Sequence, residues 1–205
     1  MANDIFHDGN RELQRRFDTE RLAGRVGELT HDTIDKNDRA FIEHMDMFFI
    51  ATVDEQGHVN CSYKGGEPGF VRVVDEKTIA FPNYDGNGMY LSMGNVLKTK
   101  QVGLLFIDFD RQHRMRFNGE ATISYDDPLM AEYPEAQFIV RMRTREIFPN
   151  CPRYIHKMQL VQRSKFVPKS ECDTPVPAWK TGGWVDDVLP EHDPARRPDA
   201  EVLDR

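Results

Sequence analysis

Residues 81–90, which read Phe-Pro-Asn-Tyr-Asp-Gly-Asn-Gly-Met-Tyr, separate a strand pattern from a helical one. The apolar run before them, Thr78 to Phe81, is typical of a strand, and the residues from Pro82 to Gly88 favour a turn. Apolar side chains then recur near helical spacing at Met89, Leu91, Met93, Val96 and Leu97. The next run, Val102 to Phe109, is apolar enough to predict a strand buried on both faces. This segment therefore predicts a strand, a glycine-rich loop, a helix and a central strand.

The glycine-rich loop stands directly before the predicted start of the helix. Backbone N–H groups in such a position are exposed, and they attract an anion such as a phosphate. Loops of similar composition also occur as plain connections, because glycine-rich patterns arise often by chance. The residues alone leave both interpretations open, a phosphate-binding loop and a connecting loop.

The length of 205 residues suits one domain with a sizeable core, with appendages at most. The formal net charge of -7 argues against general binding to nucleic acid or to an anionic membrane, because such a field repels phosphates. The longest apolar runs fall well short of a membrane span, and the first residues lack a secretory signal pattern. We therefore expect a cytoplasmic protein that binds neither nucleic acid nor a membrane, although a local basic pocket is compatible with this charge.

The remainder of the chain is rich in strand patterns. Residues 8–29 carry apolar side chains at spacings of three to five among many charges, which predicts one amphipathic helix packed on the outside. Six or seven short strands follow between Met47 and Phe148, and Asn118-Gly119 within one of them predicts a β-bulge. Many short strands and few helices favour a mainly β (α+β) fold, a small closed barrel with peripheral helices covering its ends.

From Lys169 onward the composition changes to proline and charged residues with two tryptophans, Trp179 and Trp184. Such a segment cannot form its own core, so the indole rings are expected either to pin it to the domain or to close a pocket. Beyond Pro190 we expect a loose chain. These changes divide the protein into an N-terminal helical extension (1–35), a barrel domain (36–168) and a C-terminal tail (169–205).

The histidines and cysteines give little sign of a metal site. The seven histidines show no His-x-x-x-His or His-Glu-x-x-His spacing, which favours ordinary solvated side chains. Cys61, Cys151 and Cys172 are widely spaced and odd in number, which is typical of reduced thiols. We therefore predict no metal and no disulfide, and the sequence names no general acid or base.

Residues 59–123 resemble the flavin-binding split-barrel proteins related to pyridoxamine 5'-phosphate oxidase. The resemblance rests on the segments Lys64-Gly65-Gly66, Gly69 to Val73, Phe81 to Gly88, Ser92 to Asn95, Gly103 to Phe109 and Arg116 to Gly119. It extends over about residues 36–165, because Asn150-Cys151-Pro152-Arg153-Tyr154-Ile155 is similar to a segment of an uncharacterised flavin-nucleotide-binding branch of that superfamily.

The resemblance implies an FMN-binding split β-barrel and a homodimer with two FMN molecules in clefts between the subunits. It assigns Lys64 to the FMN phosphate, and Phe81-Pro82-Asn83 to the residues that line the flavin. It assigns Arg114 to a position facing the pyrimidine edge of the flavin bound to the second subunit. Ser62 and Gly88 complete the strand and loop of the predicted cofactor site.

Two positive charges of the family's phosphate site are missing from this sequence. Val59 stands where the family strand usually starts with an arginine, and Gly86-Asn87-Gly88 replaces a Ser-Arg-Lys loop. Backbone N–H groups and the side chains of Asn87, Ser92 and Arg153 would have to compensate. The Arg-Leu-x-Pro ending of the true oxidases is also absent, which argues against a role in pyridoxal phosphate synthesis.

Two functions from different classes fit these residues. One is an FMN-dependent oxidoreductase that transfers hydride between the flavin and a small substrate, with Arg114 stabilising the reduced flavin. The other is a flavin- or haem-binding protein without turnover, because the same barrel serves as a binding module. A deazaflavin in place of FMN also remains open at this point.

Overall fold

The computed structural model describes residues 5–204. The helices in that range are α1 (Asp8–Arg16), α2 (Glu20–Gly27), α3 (Lys36–His44) and α4 (Leu91–Thr99). The strands are β1 (Met47–Val53), β2 (Val59–Gly65), β3 (Arg72–Asp75), β4 (Thr78–Asn83), β5 (Gln101–Asp108), β6 (His113–Ser124), β7 (Phe138–Pro149), β8 (Val176–Pro177) and β9 (Val202–Leu203). Short 3-10 helices lie at Pro128–Glu132, Ala178–Thr181 and Pro194–Arg196. Across the described range, none of the helices has the length and apolar character needed to span a membrane.

The first seven strands form one antiparallel sheet in the order β2-β1-β5-β6-β7-β4-β3. The predicted sequence of strand, loop, helix and strand is confirmed as β4, residues 84–90, α4 and β5. As predicted, β5 is central, since it pairs with β1 on one side and with β6 on the other. The mainly β (α+β) prediction is thereby confirmed.

Ring contacts show that the sheet curls into a barrel. Phe48 of β1 and Phe81 of β4 lie four strands apart in the sheet order, yet their ring centroids are 5.0 Å apart. Phe106 of β5 joins them with its centroid 5.2 Å from that of Phe48. All three side chains are at most 1% exposed, and burying each one contributes about 1.5–3 kcal/mol relative to exposure. The fold is the split barrel that the resemblance implies.

The outer face of the central strand is only partly covered. Val102, Leu104 and Phe106 of β5 point into the barrel and are buried, whereas Leu105 and Ile107, which alternate with them, are only half-buried. The sequence predicts that both faces of β5 are buried, but in a single chain only the face inside the barrel is buried. The outer face of β5 therefore retains apolar surface in the monomer.

The predicted bulge at Asn118-Gly119 is confirmed, because the register between β6 and β7 shifts there. A Cβ atom at Gly119 would lie 2.0 Å from the carbonyl oxygen of Arg143. The backbones approach so closely at this point that only glycine fits.

The prediction of one packed amphipathic helix over residues 8–29 is wrong. The helix breaks between α1 and α2, where Asp18 adopts a left-handed conformation with φ of 53°. The expected apolar stripe does not pack on the barrel either, since Phe17 is 69% exposed and Leu22 is 63% exposed. The chain pairs with the barrel after α1 and α2, where His31 forms an antiparallel bridge with Ile147 of β7.

The C-terminal tail is more ordered than the sequence predicts. Beyond Pro190 it forms a 3-10 helix, and β9 pairs in parallel with β8. Arg196 donates hydrogen bonds to the carbonyl oxygens of Pro190, Asp186 and Leu189. The expectation of a loose end is therefore wrong, because these hydrogen bonds and the β8–β9 pairing hold the segment in place.

Candidate functional site

A polar pocket of about 180 Å³ lies between β2, the loop 84–90 and the start of α4. Its first wall consists of Asn60, Ser62 and Lys64. The antiparallel register pairs these residues with Thr52, Ile50 and Phe48 of β1, which all point into the barrel. Residues paired across a sheet share a face, so the polar half of β2 continues the inner face of the barrel at its open end.

Lys64 carries the main positive charge of the pocket. Its side chain is partly buried, and burial lowers the pKa of its ammonium group. It makes neither a hydrogen bond nor an ion pair with any other residue in the part of the chain that the structure describes. A partly desolvated cation without a counter-charge favours an anionic ligand.

The loop supplies the second wall. Gly88 has φ of 74°, a left-handed conformation that glycine adopts without strain. The side chain of Asn87 accepts a hydrogen bond from the backbone N–H of Met89 at 3.1 Å, which holds the turn before the helix. A Cβ atom added at Gly86 or Gly88 would meet none of the described residues within 4 Å apart from its chain neighbours, so the loop leaves open space beside its backbone.

The N-terminus of α4 forms the third wall. Tyr90 is the residue before the helix, and it provides no side-chain hydrogen bond to the first turn. The N–H groups of Leu91, Ser92 and Met93 therefore have neither an intrahelical acceptor nor a capping side chain. The Ser92 hydroxyl accepts a hydrogen bond from the Asn60 side-chain amide at 2.8 Å, which ties this turn to β2. Helix dipole, free N–H groups and Lys64 thus converge on one space.

Tyr84 at the base of the loop stays protonated at neutral pH. Burial raises the pKa of its phenol to about 12, and nearby Tyr133, Glu135 and Glu67 add to the shift. Its O–H group remains a hydrogen-bond donor throughout the physiological range.

On its far side the loop is tied to the C-terminal tail. The Lys180 ammonium group forms ion pairs with Asp85 of the loop and with Asp193 of the tail. A second cavity, of about 290 Å³, lies between loop and tail and shares Tyr84, Gly86 and Asn87 with the polar pocket. Trp179 lines this second cavity, whereas Trp184 is 73% exposed.

Six of the ten sequence-predicted cofactor residues line the polar pocket. They are Ser62, Lys64, Asn83, Asn87, Gly88 and Ser92. The structure places Phe81 and Pro82 elsewhere, both buried on β4, and the Phe81 ring packs inside the barrel against Phe48. Neither side chain lines the pocket of its own chain.

The two predicted arginines also lie outside the pocket of their own chain. Arg114 is on the outer face of β6, opposite Ile107, and its Nη2 atom donates to the carbonyl oxygen of Cys151 at 2.8 Å. Its Nε atom is buried and finds no hydrogen-bond acceptor among residues 5–204. Arg153 is exposed. The structure therefore does not bring either arginine to Lys64 within a single subunit.

Sequence reasoning missed Asn60 and Tyr84 as pocket residues. Asn60 could have been found, because it precedes Ser62 and Lys64 by two and four positions and so shares their face of the strand. Tyr84 carries no comparable signal, since Tyr133, Glu135 and Glu67, which act on its phenol, are distant from it in sequence. Within the described part of the chain, His, Cys, Asp and Glu side chains form no group of three that could hold a metal ion.

Comparison with solved structures gives matches of low identity. HupZ of Group A Streptococcus is 19% identical, with a TM-score of 0.46, over 57% of this chain and 93% of its own. An FMN-binding protein of Syntrophomonas wolfei is 17% identical, with a TM-score of 0.41, over 67% of this chain and 96% of its own. The heme storage protein HutZ of Vibrio cholerae is 15% identical, with a TM-score of 0.42, over 57% of this chain and 94% of its own. No curated protein matches the chain.

A comparison of the sequence with models of protein families identifies the family of this chain. The sequence model of the family described as pyridoxamine 5'-phosphate oxidase matches residues 34–161. That range begins at Ile34, where the buried core begins, and includes every strand of the seven-stranded sheet and all of α4. Since the match covers more than half of the chain and the whole barrel, this protein belongs to the pyridoxamine 5'-phosphate oxidase family.

Proposed function

We propose that this protein is an FMN-binding oxidoreductase whose polar pocket takes the phosphate end of the cofactor. The observation that carries the proposal is Lys64, a partly buried cation without a counter-charge among the described residues. An anion in the pocket would restore the favourable electrostatics that burial removes from this side chain.

The donors around the pocket fit a phosphate. Lys64 supplies one charged donor, and the first turn of α4 supplies backbone N–H groups that lack intrahelical acceptors. Ser92 and Asn87 add polar side chains at the edge of the same space. These groups would hold the phosphate of FMN without the two charges that the family loop usually carries.

Bound FMN would supply the hydride-accepting position of its ring system, and the protein would supply orientation and electrostatics. The side chains that line the pocket include neither a carboxylate nor an imidazole, and Tyr84 stays protonated at neutral pH. Among the described residues, the pocket lining therefore offers no carboxylate or imidazole as a general base. Such a site suits hydride transfer from a donor such as a reduced nicotinamide, which needs no proton abstraction by the protein.

A homodimer would complete the site. The pocket of about 180 Å³ is smaller than the roughly 300–1,000 Å³ that ligand sites usually offer. The outer face of β5 keeps half-covered apolar side chains. Arg114 of the neighbouring strand β6 lies on the same face of the sheet, and its buried Nε atom has no hydrogen-bond acceptor among the described residues. In a C2 pair this arginine would reach the flavin bound to the partner subunit, so that two sites are shared.

Reconstitution with flavins tests the proposal. We expect the purified protein to retain FMN in preference to FAD, and the bound flavin to bleach with a reduced nicotinamide and recover with an electron acceptor. Mass spectrometry of the released chromophore identifies the cofactor, and absorbance follows the cycle. A protein that holds flavin but never cycles would be a binding module. Failure to retain FMN at micromolar concentration would contradict the site.

Mixing variants tests the shared sites. Lys64→Ala and Arg114→Ala homodimers should each bind FMN weakly, because each lacks one wall of both sites. A heterodimer of the two has one intact site and should recover about half of the wild-type flavin content, as expected for C2 symmetry. A stable monomer that binds FMN normally in sedimentation experiments would rule out this arrangement.

A further inference from the structure

The loop proposed to hold the phosphate contains an acidic residue, Asp85. We propose that Lys180, from the C-terminal tail, neutralises this carboxylate and is therefore a positioning residue that acts on the phosphate site through Asp85. The inference rests on the proposed function, and it makes the tail, which lies outside the matched residues 34–161, part of the cofactor site.

Lys180 is a buried lysine that forms ion pairs with two carboxylates. Its side chain is 5% exposed and lies between the carboxylates of Asp85 and Asp193, the second at 2.7 Å. Asp193 is itself fixed, because its other oxygen accepts a hydrogen bond from the backbone N–H of Ala195 at 2.9 Å. Burial acts to lower the pKa of Lys180, but the hydrogen bonds to Asp193 and Asp85 outweigh it and the pKa is raised. The ammonium group therefore stays charged.

The loop forms a wall between the tail and the pocket. Tyr84, Gly86 and Asn87 line both the polar pocket and the tail-side cavity, while Lys180 lines only the tail-side cavity. Lys180 therefore does not touch the proposed phosphate position. Its influence passes through Asp85, whose side chain is 50% exposed and lines the tail-side cavity. Without Lys180 this carboxylate would place an uncompensated negative charge across the loop from the phosphate, between the pocket residues Tyr84 and Gly86.

The pocket has few positive charges, which is why the ion pair of Lys180 and Asp85 matters. The loop Gly86-Asn87-Gly88 lacks cationic side chains, and Lys64 is the cation that lines the pocket among the described residues. An uncompensated Asp85 would cancel much of that single charge. One unit charge acting through the partly solvated loop changes phosphate affinity by roughly tenfold. Lys180 reduces the net charge of the Asp85 and Asp193 carboxylates from -2 to -1, which preserves the effect of Lys64 without a further cation at the phosphate.

The experiment compares FMN with riboflavin, which lacks the phosphate. Affinities of both ligands are measured by flavin fluorescence quenching for the wild type, Lys180→Met, Asp85→Asn and the double variant. Circular dichroism and urea unfolding show that each variant is folded. We expect Lys180→Met to weaken FMN by about tenfold and riboflavin by less than about twofold. The double variant should regain most of the loss, because the uncompensated carboxylate is removed, and Asp85→Asn alone should bind FMN at least as well as the wild type.

Three results would overturn the inference while leaving the proposed function intact. They are an FMN preference in the wild type that Lys180→Met leaves unchanged, an equal loss of affinity for both ligands, and a double variant no better than Lys180→Met. The last two would mean that Lys180 holds the fold and not the charge balance. A wild-type protein without any preference for FMN over riboflavin would overturn both proposals.

Discussion

Replacing Lys64 by methionine removes the charge of the polar pocket while it keeps an unbranched side chain of similar length. A charge-assisted hydrogen bond contributes about 1.5–3 kcal/mol, which corresponds to roughly ten- to a hundredfold in affinity. Lys64 makes no competing ion pair among the described residues, so a phosphate gains most of that contribution. We therefore expect Lys64→Met to weaken FMN by at least about tenfold and riboflavin by much less.

The assay is fluorescence titration of both flavins at several pH values. Because burial lowers the pKa of Lys64 in the free protein, the wild-type affinity for FMN should fall as the pH rises through that lowered pKa, below the ordinary lysine value. Phosphate binding favours the protonated amine, so the pKa rises again in the complex. The Lys64→Met variant should lack this pH dependence.

Lys98→Met is the matched control for this prediction. Lys98 lies on α4 with its side chain 66% exposed, and its ammonium group is 3.9 Å from Glu55. It does not line the pocket, so its replacement should leave both affinities unchanged. Equal losses for FMN and riboflavin in Lys64→Met, or a similar loss in the control, would refute the assignment of Lys64 to a phosphate.

The other predictions concern stability, measured as the free energy of unfolding in urea. Gly119→Ala should destabilise the protein by about 3 kcal/mol or more, because its Cβ would meet a backbone carbonyl, whereas Gly94→Ala, with open space around it, should be neutral or stabilising. Asp127→Asn should cost about 1–3 kcal/mol, since the buried carboxylate accepts two hydrogen bonds from an arginine. His31 lies 2.7 Å from Asp38 and has a raised pKa. It should stabilise the protein below its unfolded pKa and lose this effect as the pH rises through the folded value.

Each of these stability predictions has a contradicting outcome. Equal effects of the two glycine variants would mean that the β6–β7 bulge tolerates a side chain. The ion pair of Asp127 and Arg141 stabilises the protein above the unfolded pKa of the carboxyl, because Arg141 holds the pKa of Asp127 below its usual value. If Asp127→Asn remained equally destabilising at a pH below the folded pKa of Asp127, the loss of stability would have a cause other than this ion pair. For His31, a His31→Gln variant with the same decline in stability from about pH 6.5 upward would assign that decline to another group.

The barrel could be predicted from the sequence because its signals are local. The alternation along β6, the apolar run of β5 and the turn residues 82–88 each depend on neighbours in the chain. The N-terminal helices could not be predicted in the same way. Their apolar spacing is helical, but the sequence does not reveal that Asp18 breaks the helix or that Phe17 remains exposed.

The candidate site was predictable where residues follow one strand or one loop. Lys64, Ser62 and Asn87 are of this kind, and Asn60 follows from the same alternation. Contacts between distant segments were not predictable, because no local pattern announces them. Lys180 reads in the sequence as an ordinary charged residue of a proline-rich tail, and only the folded chain brings it to Asp85. The role of Arg114 depends on a second subunit, and the roles of both Arg114 and Arg153 stay predictions.

The half-covered outer face of β5 has a consequence for how the protein would behave on dilution. If each flavin is bound between two subunits, association of the chains and retention of the cofactor are linked by mass action. Dilution below the dissociation constant of the dimer would then release flavin even when free flavin is held constant, and added flavin would in turn drive the chains together. The yellow colour of the protein would thus report its state of association, and titrations carried out at different protein concentrations would give different apparent affinities.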